Sequence, residues 1–509
     1  MTLTRREFTV MAAAAAAAQA FSTLGVAKTA DSTAADLTAL SMTEAAEKVR
    51  SGAVTATQLT EACLARVAIY DPKLDAFITV AKEKALARAR QLDAEQQAGK
   101  LQGPLHGVPI AIKDIIDTAG IRTTGGSALF EDRVPPEDAT VVARLIAAGA
   151  IVIGKTNTQE FAMGGGETSF FGPARNPWNL AHNTGGSSSG SGAAIAACLS
   201  FGALGTDTGG SVRMPASYCG IVGLKPTYGL VPIRGIFPLT LSLDHCGPMT
   251  RTVADNALML NVMAGYDKLD ITSVEHVKED YVAALSQPVS DIRLGAPAGY
   301  FDDLHPEVAS AVQAATSVLA KLTRGVKDVS LPGITHLANL GSLGETFAFH
   351  QQYFNNAAGK YMLPERRRLE AIAKDEPKAV DYIRAKWELE RVRRAIDDAF
   401  VDFDLVVLPT QRILPPPLDE LIKRAHDPQS RDPLVTSNCA PFDVFGIPAI
   451  SIPCGFSKSG LPIGLMIAGP RFSEGKVLAL AQAYERATQW HMRRPPLTPT
   501  TPVPPVVTG

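Results

Sequence analysis

Thr184-Gly-Gly-Ser-Ser-Ser-Gly-Ser-Gly192, followed after a small apolar segment by Gly205-Thr-Asp-Thr-Gly-Gly-Ser211, decides how this chain is read. Two serines, Ser187 and Ser211, each follow a Gly-Gly pair. Glycine reaches backbone conformations closed to other residues, so such turns let N–H groups crowd around a ligand oxygen. A serine seated there can be a nucleophile whose oxyanion site is its own backbone. A flexible Gly/Ser linker is the plain alternative. The apolar residues between the two runs, and the embedded Asp207 and Arg213, are what packed structure requires and a linker does not.

Working outward, Lys113 closes the apolar run Val108-Pro-Ile-Ala-Ile112. A serine hydroxyl needs a base, and lysine serves only when neutral, a form that burial favours. The end of a buried strand is where such desolvation occurs. A salt bridge from Lys113 to Asp114 or Asp117 is the structural alternative. Short apolar runs alternate with helical patterns: Val108 to Ile112, the helix Ala139 to Ala148, Ile151 to Ile153, the buried helix Ala193 to Leu199, and a strand Ala203 to Thr206. The pattern returns at Leu405 to Leu408, Ala449 to Ile452 and the amphipathic helix Gly475 to Thr488. Such alternation predicts an α/β sheet covered by helices. Ser41-Met-Thr-Glu44 reads as a capping box, and the charged stretch Lys360 to Ala399 as a solvated helix pair.

Gly107-Val-Pro-Ile-Ala-Ile-Lys-Asp114, Gly154-Lys-Thr-Asn157, Asn176-Pro-Trp178, the two Gly-Gly-Ser runs, Gly220-Ile-Val-Gly-Leu-Lys-Pro-Thr227 and Asn438 to Gly469 together resemble the amidase signature family of serine hydrolases. The similarity is densest between about Leu105 and Asp255. It implies one large α/β/α domain with a mixed β-sheet, and no cofactor. By motif it implies Ser211 as nucleophile, Lys113 as base and Ser187 as the serine between them, with a cis peptide bond at Ser187. Thr208, Gly209, Gly210 and Ser211 would supply the oxyanion hole. Asp207 and Arg213 would support that loop; an ordinary surface ion pair is their bland reading.

Rival chemistries find little footing. Gly186-Ser-Ser-Ser-Gly190 formally fits G-x-S-x-G with Ser188 as nucleophile, but that motif needs a strand before it. Asn176-Pro-Trp-Asn-Leu-Ala-His-Asn183 reads instead as a proline-broken loop. His106, His182 and His245 lie in no triad motif, and Cys219 and Cys246 sit among small apolar residues, as buried thiols do. No H-E-x-x-H or C-x-x-C marks a metal site, and Gly164-Gly-Gly166 with Glu167 lacks the rest of a phosphate loop. A net charge of −2 gives no electrostatic footprint for nucleic acid.

Thr4-Arg5-Arg6-Glu7-Phe8, ahead of the alanine-rich run Met11 to Ala18, reads as a twin-arginine export signal over residues 1–30. The run is too short and too weakly apolar for a stable membrane span. The expectation is therefore a protein handled transiently by the twin-arginine machinery and placed in the periplasm or secreted. Its six cysteines would be free buried thiols. The domain would run over 31–494, with a variable helical segment at about 256–437, and residues 495–509, rich in proline and threonine, would form a disordered tail. The segment 256–437 would supply much of the acyl pocket, with Pro415-Pro-Pro417 and Phe347, Phe349, Tyr353 and Phe354 either lining the wall or packing in the core. The expected function is hydrolysis of a small-molecule amide, a neutral primary amide fitting best. Membership of a glutamine-dependent amidotransferase complex, or a silent binding protein on the same fold, are the alternatives, and a homodimer is allowed for.

Overall fold

Branched apolar runs bounded by Gly and Pro favour buried strands, and in the computed structural model they build a sheet through the middle of the protein. The structure describes residues 36–164, 168–334, 341–427 and 437–505. Its strands in chain order are β1 (Phe77–Val80), β2 (Pro109–Lys113), β3 (Ile151–Thr156), β4 (Arg175–Asn176), β5 (Asn179–Asn183), β6 (Gly202–Asp207) and β7 (Val222–Lys225). There follow β8 (His245–Thr250), β9 (Leu294–Pro297), β10 (Val326–Val329), β11 (Leu405–Pro409), β12 (Ala449–Phe456) and β13 (Pro462–Ala468).

Eleven of them form one sheet in the order β1-β3-β2-β6-β8-β7-β12-β13-β11-β9-β10, while β4 and β5 pair separately. The sheet is mixed, as expected. β2 runs parallel to both β3 and β6, and β9 runs parallel to β10 and β11. Antiparallel pairs join β6 through β13 in between. Helices cover it: Ser189–Ala196 packs on β2, β3 and β6, Arg213–Cys219 on β7, β12 and β13, and Glu474–Thr488 on β12. Ser189–Ala196 is buried along its whole length, which its Ser, Gly and Ala composition permits by letting backbones approach closely.

The helix Met42–Arg50 begins with the expected capping box, Ser41 Oγ accepting from Glu44 N while Glu44 Oε2 accepts from Ser41 N at 2.8 Å. All six cysteines are free and buried. The charged stretch after Lys360 does form two helices, Leu363–Lys374 and Ala379–Ala399, but it is not simply solvated. Leu389, Val392 and Ile396 of the second helix pack with Phe403, Phe442 and Phe445 in the core. Asn176–Asn183 also differs from expectation. Instead of a loop it makes the β4–β5 ribbon, because Asn176 Nδ2 donates to the carbonyls of Asn183 and Tyr218 and ties the turn down. Residues 495–505 carry no regular element, yet Lys73 Nζ donates to Thr501 O at 2.8 Å. The expected export signal at 1–30 and the residues Gly165, Gly166 and Glu167 lie outside the described residues. Among the described residues no helix is long and apolar enough to cross a membrane.

Candidate active site

The parallel register of β2 and β6, Ile112 opposite Leu204, brings the carboxyl ends of two neighbouring strands to one place. In open α/β sheets ligands bind outside such ends. β2 ends in Lys113, which is wholly buried. Its Nζ lies 2.7 Å from Ser187 Oγ and 2.7 Å from Thr206 Oγ1. The alternative salt bridge to Asp114 or Asp117 does not form; it is Lys155 that stands 4.0 Å from Asp114. Burial pushes the Lys113 pKa down to about 7, against the opposing pull of Asp207 and Asp244. A lysine so placed is neutral in a substantial fraction near neutral pH and can accept a proton.

Ser187 follows β5, and the Gly186–Ser187 peptide bond is cis. Gly186 has no room for a side chain, since a Cβ there would stand 2.5 Å from the Gln159 amide group. Ser188 N donates to Ser211 O at 3.3 Å, joining the Ser187 loop to the Ser211 loop. Ser188 cannot be an elbow nucleophile even though β5 precedes it. It is buried, and its Oγ is held by the backbone of β6, accepting from Thr206 N at 3.2 Å and lying 3.3 Å from Thr206 O.

Ser211 lies between β6 and the helix Arg213–Cys219 and is partly exposed, where Lys113 and Ser187 are buried. Of the four oxyanion residues, Gly210 is a correction: its N–H donates to Asp207 Oδ1 at 2.6 Å and so holds the loop's shape. The N–H groups of Thr208, Gly209 and Ser211 remain for a ligand oxygen. Gly210 has φ 127, and a Cβ on it would meet Cys439 Cβ at 2.7 Å.

Asp207 and Arg213 form no surface pair; both are fully buried. Arg213 Nε and Nη2 donate to the two Asp207 oxygens, each at 2.9 Å, and Asp207 Oδ2 also accepts from Val212 N at 3.1 Å. Burial opposes ionisation of Asp207, but the Arg213 guanidinium outweighs it and holds the carboxyl below the usual range. Sequence reasoning missed the next partner. Arg213 Nη2 also donates to Asp443 Oδ2 at 2.6 Å and Nη1 to Cys439 O at 2.9 Å, two groups more than 200 residues further along the chain. Burial beside Asp207 pushes Asp443 well above the ordinary carboxylate value. His245 belongs to this support and to no triad, with Nδ1 3.1 Å from Asp207 O and Nε2 3.2 Å from Lys225 Nζ. His106 is structural too, its ring nitrogens meeting Gln102 N and Leu92 O. Cys246 is buried, which pushes its thiol up to about 12 and makes it inert as a nucleophile.

A mostly apolar cavity adjoins these residues, lined by Thr206 and Thr208 together with Ile115, Ile236, Phe237 and Leu241. Its described walls precede residue 256, so the expected wall segment 256–437 stands behind them: Phe349 packs on Phe237 with ring centroids 5.9 Å apart. Pro416 instead accepts from Asn183 N at 3.0 Å, at the end of β5.

Residues 58–478 match the family model described as Amidase. This chain belongs to the amidase signature family. It is 39% identical over 487 residues to the amide-handling component of the Glutamyl-tRNA(Gln) amidotransferase of Geobacter sp. (strain M21), covering 90% of this chain and 99% of the relative. The component of the same name from Roseiflexus sp. (strain RS-1) is 41% identical over 488 residues, at 90% and 98% coverage. Among solved structures, 6-aminohexanoate cyclic dimer hydrolase complexed with substrate superposes with a TM-score of 0.81 at 30% identity, covering 90% and 99%. The native peptide amidase from Stenotrophomonas maltophilia gives a TM-score of 0.79 at 32% identity, covering 90% and 98%. These matches confirm the family fold. They overturn the expected twin-arginine export and periplasmic or secreted location: relatives matching nine-tenths of this chain are named for work on glutamyl-tRNA, a molecule of the cytoplasm.

Proposed function

We propose that this amidase cleaves the C–N bond of a primary carboxamide through an acyl-enzyme on Ser211. The observation that carries the reading is the wholly buried Lys113 Nζ at 2.7 Å from Ser187 Oγ, its pKa near 7. Ser187 gives its proton to neutral Lys113 and takes that of Ser211, whose Oγ bonds to the carbonyl carbon. The oxygen, now negative, is met by the N–H groups of Thr208, Gly209 and Ser211. The proton returns through Ser187 to the nitrogen, the C–N bond breaks and ammonia leaves. Water then attacks the ester, giving carboxylate and free Ser211.

Two destinations for the ammonia share this half-reaction. In one it is released, as the names of the hydrolase and peptide amidase neighbours suggest. In the other it passes within a complex to a second substrate. The 39–41% identity to components of amidotransferases favours this second reading, with glutamine as the amide. Purified chain offered glutamine, aliphatic amides and arylalkyl amides, with ammonia as readout, tests both. Release from aliphatic or arylalkyl amides by the chain alone supports the hydrolase; preference for glutamine supports the amidotransferase. Ser211→Ala should lose on the order of 10⁶-fold in rate, and wild-type rates in that variant would end the acyl-enzyme reading.

A further inference from the structure

Asp244 stands one residue before β8, outside every motif of the sequence. Its side chain is buried at the edge of the cavity, which it lines. Oδ1 accepts from Thr208 Oγ1 at 2.6 Å, and Oδ2 from Leu239 N at 2.9 Å, while Thr240 N lies 3.1 and 3.2 Å from the two oxygens. Thr208 belongs to the loop between β6 and Ser211, whereas Phe237, Leu239 and Leu241 belong to the cavity wall. One carboxylate therefore ties the wall to the loop. Among the described residues it makes no ion pair, so all its direct partners are neutral donors. An asparagine oxygen could accept some of these bonds at a smaller desolvation cost. The retained carboxylate asks for a use of its charge, and Lys113 lies within its electrostatic reach.

We propose that Asp244 is a positioning residue for the Ser211 reaction, clamping the cavity wall to the Thr208 loop and presenting a negative charge to Lys113. The proposal rests on the acyl-enzyme reading above. The charged and titratable groups that act on these two residues are few. Asp244 feels Glu345, itself paired with Lys386; Lys113 feels Asp207, Asp244 and Cys246. Burial raises the Asp244 carboxyl to about 6, with the Thr208 and backbone donors pulling the other way. Its negative form favours the Lys113 ammonium, so removing it makes Lys113 neutral at lower pH.

The test needs no natural substrate. A fluorophosphonate phosphonylates the nucleophilic serine with loss of fluoride, the serine proton going to the base, so labelling of Ser211 against pH reports Lys113. Wild type should rise through an acidic limb near pH 7. Asp244→Asn should move that limb to lower pH by roughly half a unit or more and slow labelling several-fold on the plateau as the clamp loosens. Thr208→Val removes a donor that keeps Asp244 ionised, so its limb should move the same way by less, and Thr208→Ser should restore the wild-type profile. The valine variant decides the matter should Asp244→Asn fail to fold. Limbs unmoved in both variants would overturn the role of Asp244 while leaving the acyl-enzyme reading intact. A wild-type label found elsewhere than Ser211 would overturn that reading, and this proposal with it.

Discussion

Arg213→Met removes the cation that two buried carboxylates share. The guanidinium makes two 2.9 Å bonds to Asp207, one of 2.6 Å to Asp443 and one of 2.9 Å to Cys439 O, all without solvent. Methionine fills much of the volume, so the loss is electrostatic more than a cavity. Breaking a buried pair by deleting one partner costs about 3–5 kcal/mol, and Asp443, already pushed towards its neutral form, keeps the value from doubling. The pH dependence carries the sign. In the native protein the Asp207 carboxyl is held below its usual value, so its contribution is present above the unfolded pKa of about 3.9 and fades as pH falls towards the native value. Without Arg213, burial dominates and raises that carboxyl, so stability is lost as pH rises. Urea denaturation followed by tryptophan fluorescence should therefore show the variant's deficit largest near pH 8 and smaller near pH 4. A deficit below about 1 kcal/mol at both pH values, or one that grows on acidification, would refute the assignment of Arg213 as the shared counter-ion.

Lys113→Ala should lose most amide hydrolysis, and Lys113→Arg should fail to restore it, because arginine stays protonated; wild-type rates should rise through a limb near pH 7, measured as ammonia release. Phe237→Ala opens the cavity wall where Phe237 stacks on Phe130 at 5.3 Å. It should cost about 3 kcal/mol of stability and shift kcat/KM towards bulkier acyl groups across an amide series. Gly210→Ala should lower both activity and stability, since the residue sits at φ 127 against Cys439; equal kcat/KM in this variant would show the oxyanion loop tolerant of displacement.

Legibility in the sequence followed local pattern and failed with distance. β2, β3, β6, β11 and β12 hold apolar runs that announce buried strands, and their observed ends differ from the expected ones by a few residues. β8 was invisible because His245-Cys-Gly-Pro-Met-Thr250 has neither alternation nor a continuous apolar run, although every residue of it is buried. The helix Ala379–Ala399 reads as charged because its polar residues outnumber the stripe of Leu389, Val392 and Ile396 that meets the core. Lys113, Ser187 and Ser211 were found through glycine-rich motifs that show on the page. Asp443 follows a common Pro-Phe pair and acts on Arg213 across 230 residues, which no window of sequence displays. Gly210 was misassigned because motif and loop shape are shared by donors that face outward and donors that face Asp207.

The far-reaching hold on Arg213 also orders events in time. Lys113, Ser187 and Ser211 have all left the ribosome well before the Cys439 carbonyl and the Asp443 carboxyl that complete the Arg213 seat, which are translated only in the last part of the chain. β12 and β13, which complete the sheet beneath the helix Arg213–Cys219, are made later still. A growing chain thus carries its reactive serine in an unfinished cradle, and hydrolytic competence arrives as synthesis ends.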